Sequence, residues 1–396
     1  MYASVRRRGS RFQAARGPAL ATPGAVLPLG PRNLAMEPAP EETSSLDPQE
    51  PPAPARRRLP PSEWESWDDE RLLGLRLCDL DLKVEGSPLE PRVAELHAEL
   101  EGRGLPFRPH FWLSDEFFTP DGIPGVAIPF YLAHPRLARL ERDQMLEVEG
   151  GTPKWCLRIL RHECGHALDN AYQLRNRRRR RRLFGRSSEP YPDSYAPRPY
   201  SRSYVVHLES WYAQSHPDED FAETFAVWLT PGSDWRRRYE GWPALKKLEY
   251  VDELMRELAG RPPLVARRQT LDPLGRLRKT LRTHYKRKRQ LYTADRGGVY
   301  DRELRRLFSD APEFHGAPTA ASFLGRVRRD VRGLVRRWTG VYQYTIDQVY
   351  GEMLARAREL QLRLTLPEDR ARTEFALLLT VQTLKALYEG RLRLAL

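Results

Sequence analysis

His162-Glu163-Cys164-Gly165-His166 places two imidazoles four positions apart with a carboxylate between them. On an α-helix, positions i and i+4 lie one above the other, so both rings can reach one Zn2+ at about 2.0–2.1 Å. Glu163 stands about 100° around the helix from His162, beside the position that such an ion leaves open. There it would act as general base toward a water polarised by the metal, which is the chemistry of carbonyl hydrolysis. Cys164 points away from both imidazoles and reads as a packed thiol. Gly165 removes a side chain from the same helix, which suits the close approach of a second backbone.

A zinc site with one open position needs a third protein ligand. The spacing HExxHxxGxxH is excluded, because Asp169 and Tyr172 stand where its glycine and third histidine would be. The stretch HPDEDFAETFA from His216 to Ala226 offers both His and carboxylates. Glu219 and Glu223 are four apart on one helical face, so one can bind metal while the other orients a ligating imidazole. His207 and His216 lie where the chain reads as loop or helix entry, and Asp169 is placed for bonds around its own helix.

Arg161 to Asp169 (RHECGHALD) together with Asp218 to Phe225 (DEDFAETF) resembles the gluzincin-type zincin metallopeptidases. The motifs are similar to those of the anthrax lethal factor protease domain. The run from Leu183 to Leu229 is similar to a bacterial family of zinc-binding metallopeptidases. The resemblance extends over about residues 70–260 and implies a zincin-like fold acting on a peptide or protein substrate. It implies Glu219 as the third zinc ligand and Glu223 as the acid behind a ligating histidine. It also implies Tyr212, seven residues before Glu219, as the catalytic tyrosine that stabilises the oxyanion. Tyr200 and Tyr204 compete for that role in the same segment.

The elements that must position these residues read as follows. Thr152 is an N-cap with Pro153 at the first helical position, so the HExxH helix starts there and runs to about Leu174. A second helix starts at Pro217 or Asp218 and stops before Pro231. Upstream, near-alternation of apolar and polar residues from Leu72 to Val84 predicts a strand, followed by a helix with Val93, Leu96 and Leu100 on one face. Phe107–Leu113 and Gly125–Ala133 read as strands, the latter as an edge (Val126–Leu132) able to pair an extended peptide. Pro135–Glu147 reads as a short charged helix, and Phe184–Tyr204 as a long surface loop.

Residues 1–61 contain 12 of the 34 prolines and no apolar period, which predicts a disordered tail with a functional start at Met36. Arg6, Arg7 and Arg8 precede a stretch broken by prolines, so an export signal is poorly made. Three cysteines outside any CxxC pair fit a reducing, cytoplasmic setting, and no run approaches the length of a membrane span. Of the 66 basic residues 58 are Arg, a bias that codon usage explains as easily as a polyanion partner. Arg177–Arg182 reads as a solvated loop and Arg282–Arg289, with Tyr285 inside it, as the better candidate for weak polyanion contact.

These readings combine into an α+β chain: a disordered tail at 1–63, a zincin-like domain with a small mixed sheet and an HExxH helix at 64–262, and a basic all-α region at 263–396. The expected function is a cytoplasmic zinc metallopeptidase with His162, His166 and Glu219 on the metal, Glu163 and Tyr212 catalytic, and Glu223 behind the ligands. The alternative is a nucleic-acid or partner-binding protein with a structural or vestigial zinc site. The intact Glu163 favours the peptidase, since a structural site needs no general base.

Overall fold

The computed structural model describes residues 58–192, 195, 197–198, 200–291 and 300–388. The tail at 1–57, with Met36, lies outside the described residues, as do the side chains of Leu387 and Tyr388. Order is present from Arg58, and Trp64 is fully buried.

The described chain is mostly helical with a small sheet, consistent with α+β. Helix α1 (Glu90–Gly102) buries Leu96 and Leu100. Strands β1 (His110–Ser114) and β2 (Gly125–Pro129) pair in parallel, with His110 opposite Gly125 and Ser114 opposite Pro129. Helix α2 (Pro135–Met145) follows, then the long helix α3 (Pro153–Tyr172), buried along most of its length. After α4 (Arg178–Phe184) come a 3-10 turn (Glu209–Gln214), α5 (Pro217–Leu229), α6 (Leu245–Leu258) and α7 (Leu281–Leu291). The C-terminal part is built on α8 (Ala320–Thr339), α9 (Gln343–Glu359) and α10 (Glu368–Tyr388). It also holds a two-residue antiparallel pair, Phe308–Ser309 with Arg363–Leu364.

Several expectations change. The segment Leu72–Val84 is not a strand: Asp68 caps a short helix, Asp69–Leu73, and Leu77–Asp79 is a 3-10 turn. The Arg76 guanidinium grips Asp79 at 2.7 and 2.6 Å and closes that turn locally, so the alternation serves burial of Leu77 and Leu80. Strand β2 is not a free edge. Ala127 exchanges both backbone hydrogen bonds with Phe118, and the strand ends at Pro129, where the chain enters a 3-10 turn (Phe130–Ala133).

The arginine run is not a solvated loop either. It forms α4, in which Arg177 pairs with Glu257, Arg179 with Glu253, and Arg180 is fully buried. In Arg282–Arg289, Tyr285 is buried, Lys288 pairs with Glu141 and Arg282 with Glu70. Part of the charge in both runs is therefore neutralised within the fold.

Three hydrophobic clusters form among the described residues, the smallest of them Trp112, Phe118 and Ala127. The first gathers α1, the sheet, α3, α5 and α6, and it includes Leu274, Leu281 and Tyr285. The second runs from Leu304 to Leu379. The segment 263–291 thus packs with the first cluster, past the border that composition drew at 263. Arg336 of α8 joins the two parts, lying 2.9 Å from Glu147 and 2.5 Å from Glu209.

Candidate metal centre

The HExxH helix is set from its first turn. Thr152 accepts a hydrogen bond from the Trp155 amide at 3.2 Å, and Pro153 occupies the first turn. Arg161 forks onto Glu99 of α1 at 2.7 and 2.5 Å, fixing the rotation of α3. Thr119 donates to the Glu163 carbonyl at 3.1 Å.

Helix α5 crosses α3 at the motif itself. A Cβ on Gly165 would lie 2.9 Å from the Ala222 Cα and 3.2 Å from both the Ala222 oxygen and the Phe225 ring. Gly165 lies between the two histidines and Ala222 between the two glutamates, so this contact sets the span across which they meet. Gly165→Ala should therefore destabilise the fold by about 1–3 kcal/mol, because backbone neighbours cannot give way. Denaturant unfolding reads the effect, and a stability equal to the parent would show that the contact is loose.

The Nε2 atoms of His162 and His166 are 3.2 Å apart, and each lies 3.0 Å from Oε2 of Glu219. Ligands around a tetrahedral zinc stand about 3.3 Å apart for metal–nitrogen distances near 2.0 Å, so this triangle has the right size. Among the described residues it is the cluster of His, Cys, Asp or Glu that could hold a metal ion. Nδ1 of His162 is 2.8 Å from Oε1 of Glu223, whose other oxygen accepts from the Leu208 amide at 2.8 Å. Tyr191 donates to Oε1 of Glu219 at 2.8 Å while stacking on His216 with ring centroids 3.7 Å apart.

The electrostatics call for a cation. Burial opposes ionisation of Glu219, yet His166 and His162 hold it well below the usual carboxylate range. Burial likewise opposes charge on His162, and hydrogen bonds to Glu219 and Glu223 outweigh it and raise that imidazole to about 10. Two ionised carboxylates facing buried histidines are the environment that a divalent ion neutralises. Both oxygens of Glu163 are buried without a hydrogen-bond partner. A polar group in that state is costly unless a ligand or substrate meets it.

Tyr212 is buried, its ring 5.5 Å from that of His162. Burial, then the Glu219 charge, pushes its phenol well above the usual range, so it keeps its proton. Of the competing tyrosines, Tyr200 is 87% exposed and Tyr204 lies under the Lys247 ammonium. Neither histidine outside the motif joins the cluster: His207 meets the Arg158 carbonyl at 2.9 Å, and His216 caps α5 by accepting from the Asp218 amide at 3.1 Å. Burial lowers His207 to about 4. Cys164 is buried, and burial pushes its thiol up. Asp169 accepts from the Arg175 amide at 2.7 Å and meets Arg180 at 3.2 Å, away from the triangle.

Residues 148–232 match a family described as "Putative zinc-binding metallo-peptidase". That span carries both the HExxH helix and the acidic helix. No curated protein and no solved structure matches the chain.

Two neighbours of the centre escape sequence reasoning. Tyr191 sits in a Pro- and Ser-rich stretch that carries no periodicity, and Arg180 is hidden among identical neighbours. Asp169, three residues past His166, is the faint signal for the second.

Proposed function

We propose that the chain is a zinc-dependent metallopeptidase of the gluzincin type, related in its motifs to the lethal factor protease domain, that hydrolyses peptides or proteins in the cytoplasm. The observation that carries this reading is the His162, His166 and Glu219 triangle beside a buried Glu163 with no hydrogen-bond partner. In it, His162, His166 and Glu219 hold the ion and Glu223 orients His162. Bound zinc would supply Lewis acidity toward a water and the scissile carbonyl. Glu163 takes the proton of the attacking water on a carboxylate oxygen and returns it to the leaving amine. The Tyr212 phenol donates to the carbonyl oxygen as negative charge builds there.

The unpartnered Glu163 weighs against a structural zinc site in a nucleic-acid or partner-binding protein, since such a site closes with four protein ligands. Three free cysteines accord with a reducing compartment. Among the described residues no helix is long and apolar enough to cross a membrane.

The test is elemental analysis of the purified chain together with peptide-library cleavage after refolding with and without zinc. Cleavage that is equal in both refolded samples would refute the proposal. Tyr212→Phe should lower kcat by about 10²–10³ with zinc content unchanged, as loss of one oxyanion donor does. Wild-type turnover in that variant would remove Tyr212 from the chemistry.

A further inference from the structure

Large apolar side chains are seldom exposed in this fold. Seven are among the described residues, and four of them, Leu334 (42%), Trp338 (78%), Leu377 (63%) and Val381 (58%), lie on α8 and α10. The ion pair of Arg326 with Glu368 sets the two helices side by side. A groove shared by Arg329, Leu334 and Arg337 with Arg372 and Thr373 fixes them pointing the same way. The step from Leu334 to Trp338 therefore runs beside the step from Leu377 to Val381, each one helical turn long, and the four make one stripe.

The charge around the stripe is mostly basic. On α8, Arg328 and Arg332 bind Asp347, and Arg336 binds Glu147. Arg329 and Arg337, both exposed, have no ion-pair partner among the described residues. Asp330 lies in the middle of α8 at the same groove, and the Asp369–Arg372 and Glu374–Arg370 pairs lie toward the start of α10, whereas neither Val331–Thr339 nor Phe375–Tyr388 contains an acidic residue. In sequence, Arg391 and Arg393 among Leu392, Leu394 and Leu396 continue the same mixture.

We propose that α8 from Arg329 to Trp338 and α10 from Leu377 to Val381 form a peripheral contact with an anionic lipid surface, with Trp338, Leu377 and Val381 entering the headgroup region and Arg329 and Arg337 meeting lipid phosphates. Trp338, Leu377 and Val381 stand out from the surface beside the groove that Leu334 lines, which suits a fluid interface better than a partner helix. Trp beside Arg at a helix end is the combination that membrane interfaces favour. Each arginine near an anionic leaflet strengthens partitioning about fivefold, and salt screens the effect.

The experiment is flotation of the full chain with vesicles of phosphatidylcholine alone and with equimolar phosphatidylglycerol. Binding to the anionic vesicles only, weakened by salt, is expected. Arg329→Ser with Arg337→Ser should reduce it by about 25-fold, and Trp338→Ser with Leu377→Ser should reduce it at any salt concentration. Because these positions are exposed, the variants should melt with the parent, which circular dichroism checks. Absence of binding to the anionic vesicles, or undiminished binding by both variants, would overturn the proposal. So would binding of duplex DNA or of an amphipathic Leu/Glu peptide through these residues with vesicles left unbound.

Discussion

Glu163→Gln should leave a folded, zinc-loaded protein whose turnover on a cleavable peptide falls by up to about 10⁴, the upper range for loss of a general base. The amide has the size of the carboxylate, and no hydrogen bond to either Glu163 oxygen is lost. The substitution therefore removes basicity and little else. Zinc content and unfolding midpoint should match the parent, while single-turnover cleavage collapses. Retained cleavage would assign the proton transfer elsewhere. Loss of zinc along with activity would make Glu163 a structural element of the site.

The largest effect on stability is expected at Arg180. Its guanidinium is wholly buried, donating to Asp218 at 2.7 Å, Asp169 at 3.2 Å and Ser187 at 3.0 Å, with its carbon 4.9 Å above the Phe221 ring. Asp169 follows His166 by less than one turn of α3, and Asp218 directly precedes Glu219 on α5. One cation therefore clamps the two helices that carry the triangle. Arg180→Met would leave Asp218 buried without its guanidinium partner and Asp169 with Arg175 alone, at 3.5 Å, costing about 3–5 kcal/mol. Adding Asp169→Asn and Asp218→Asn to that variant should recover part of the loss, because the stranded charges disappear with them. Urea unfolding of the three proteins measures this. A single variant within about 1 kcal/mol of the parent would mean that water or another cation already serves the aspartates.

The two helices of the centre were legible because their signals are local. A capped start at Thr152 and Pro153 and a Pro-bounded acidic helix from Pro217 to Leu229 need no knowledge of the rest of the chain. The Gly165 contact was legible as a need for space, though not as a need for Ala222. What stayed hidden depends on distant partners. The alternation at Leu72–Val84 imitates a strand, but it forms only isolated bridges, Arg76 with Thr280 and Leu80 with Leu59, and an Arg76–Asp79 contact turns the chain between them. Arg180 and Arg178 are the same residue type two positions apart, and only the fold decides that one meets Asp218 while the other faces solvent. The place of Tyr191 is set by Glu219, 28 positions along the chain.

Depth has a kinetic consequence for the centre. His162 and Glu219 are 0% exposed and His166 is 1% exposed. An ion held there could exchange with the medium only during an opening of the surrounding chain. Stripping by a chelator would then proceed at the pace of that opening and become independent of chelator concentration once capture outruns reclosure. Loading would be fastest while the helices dock, so the metal most abundant during folding would persist for as long as that opening stays slow.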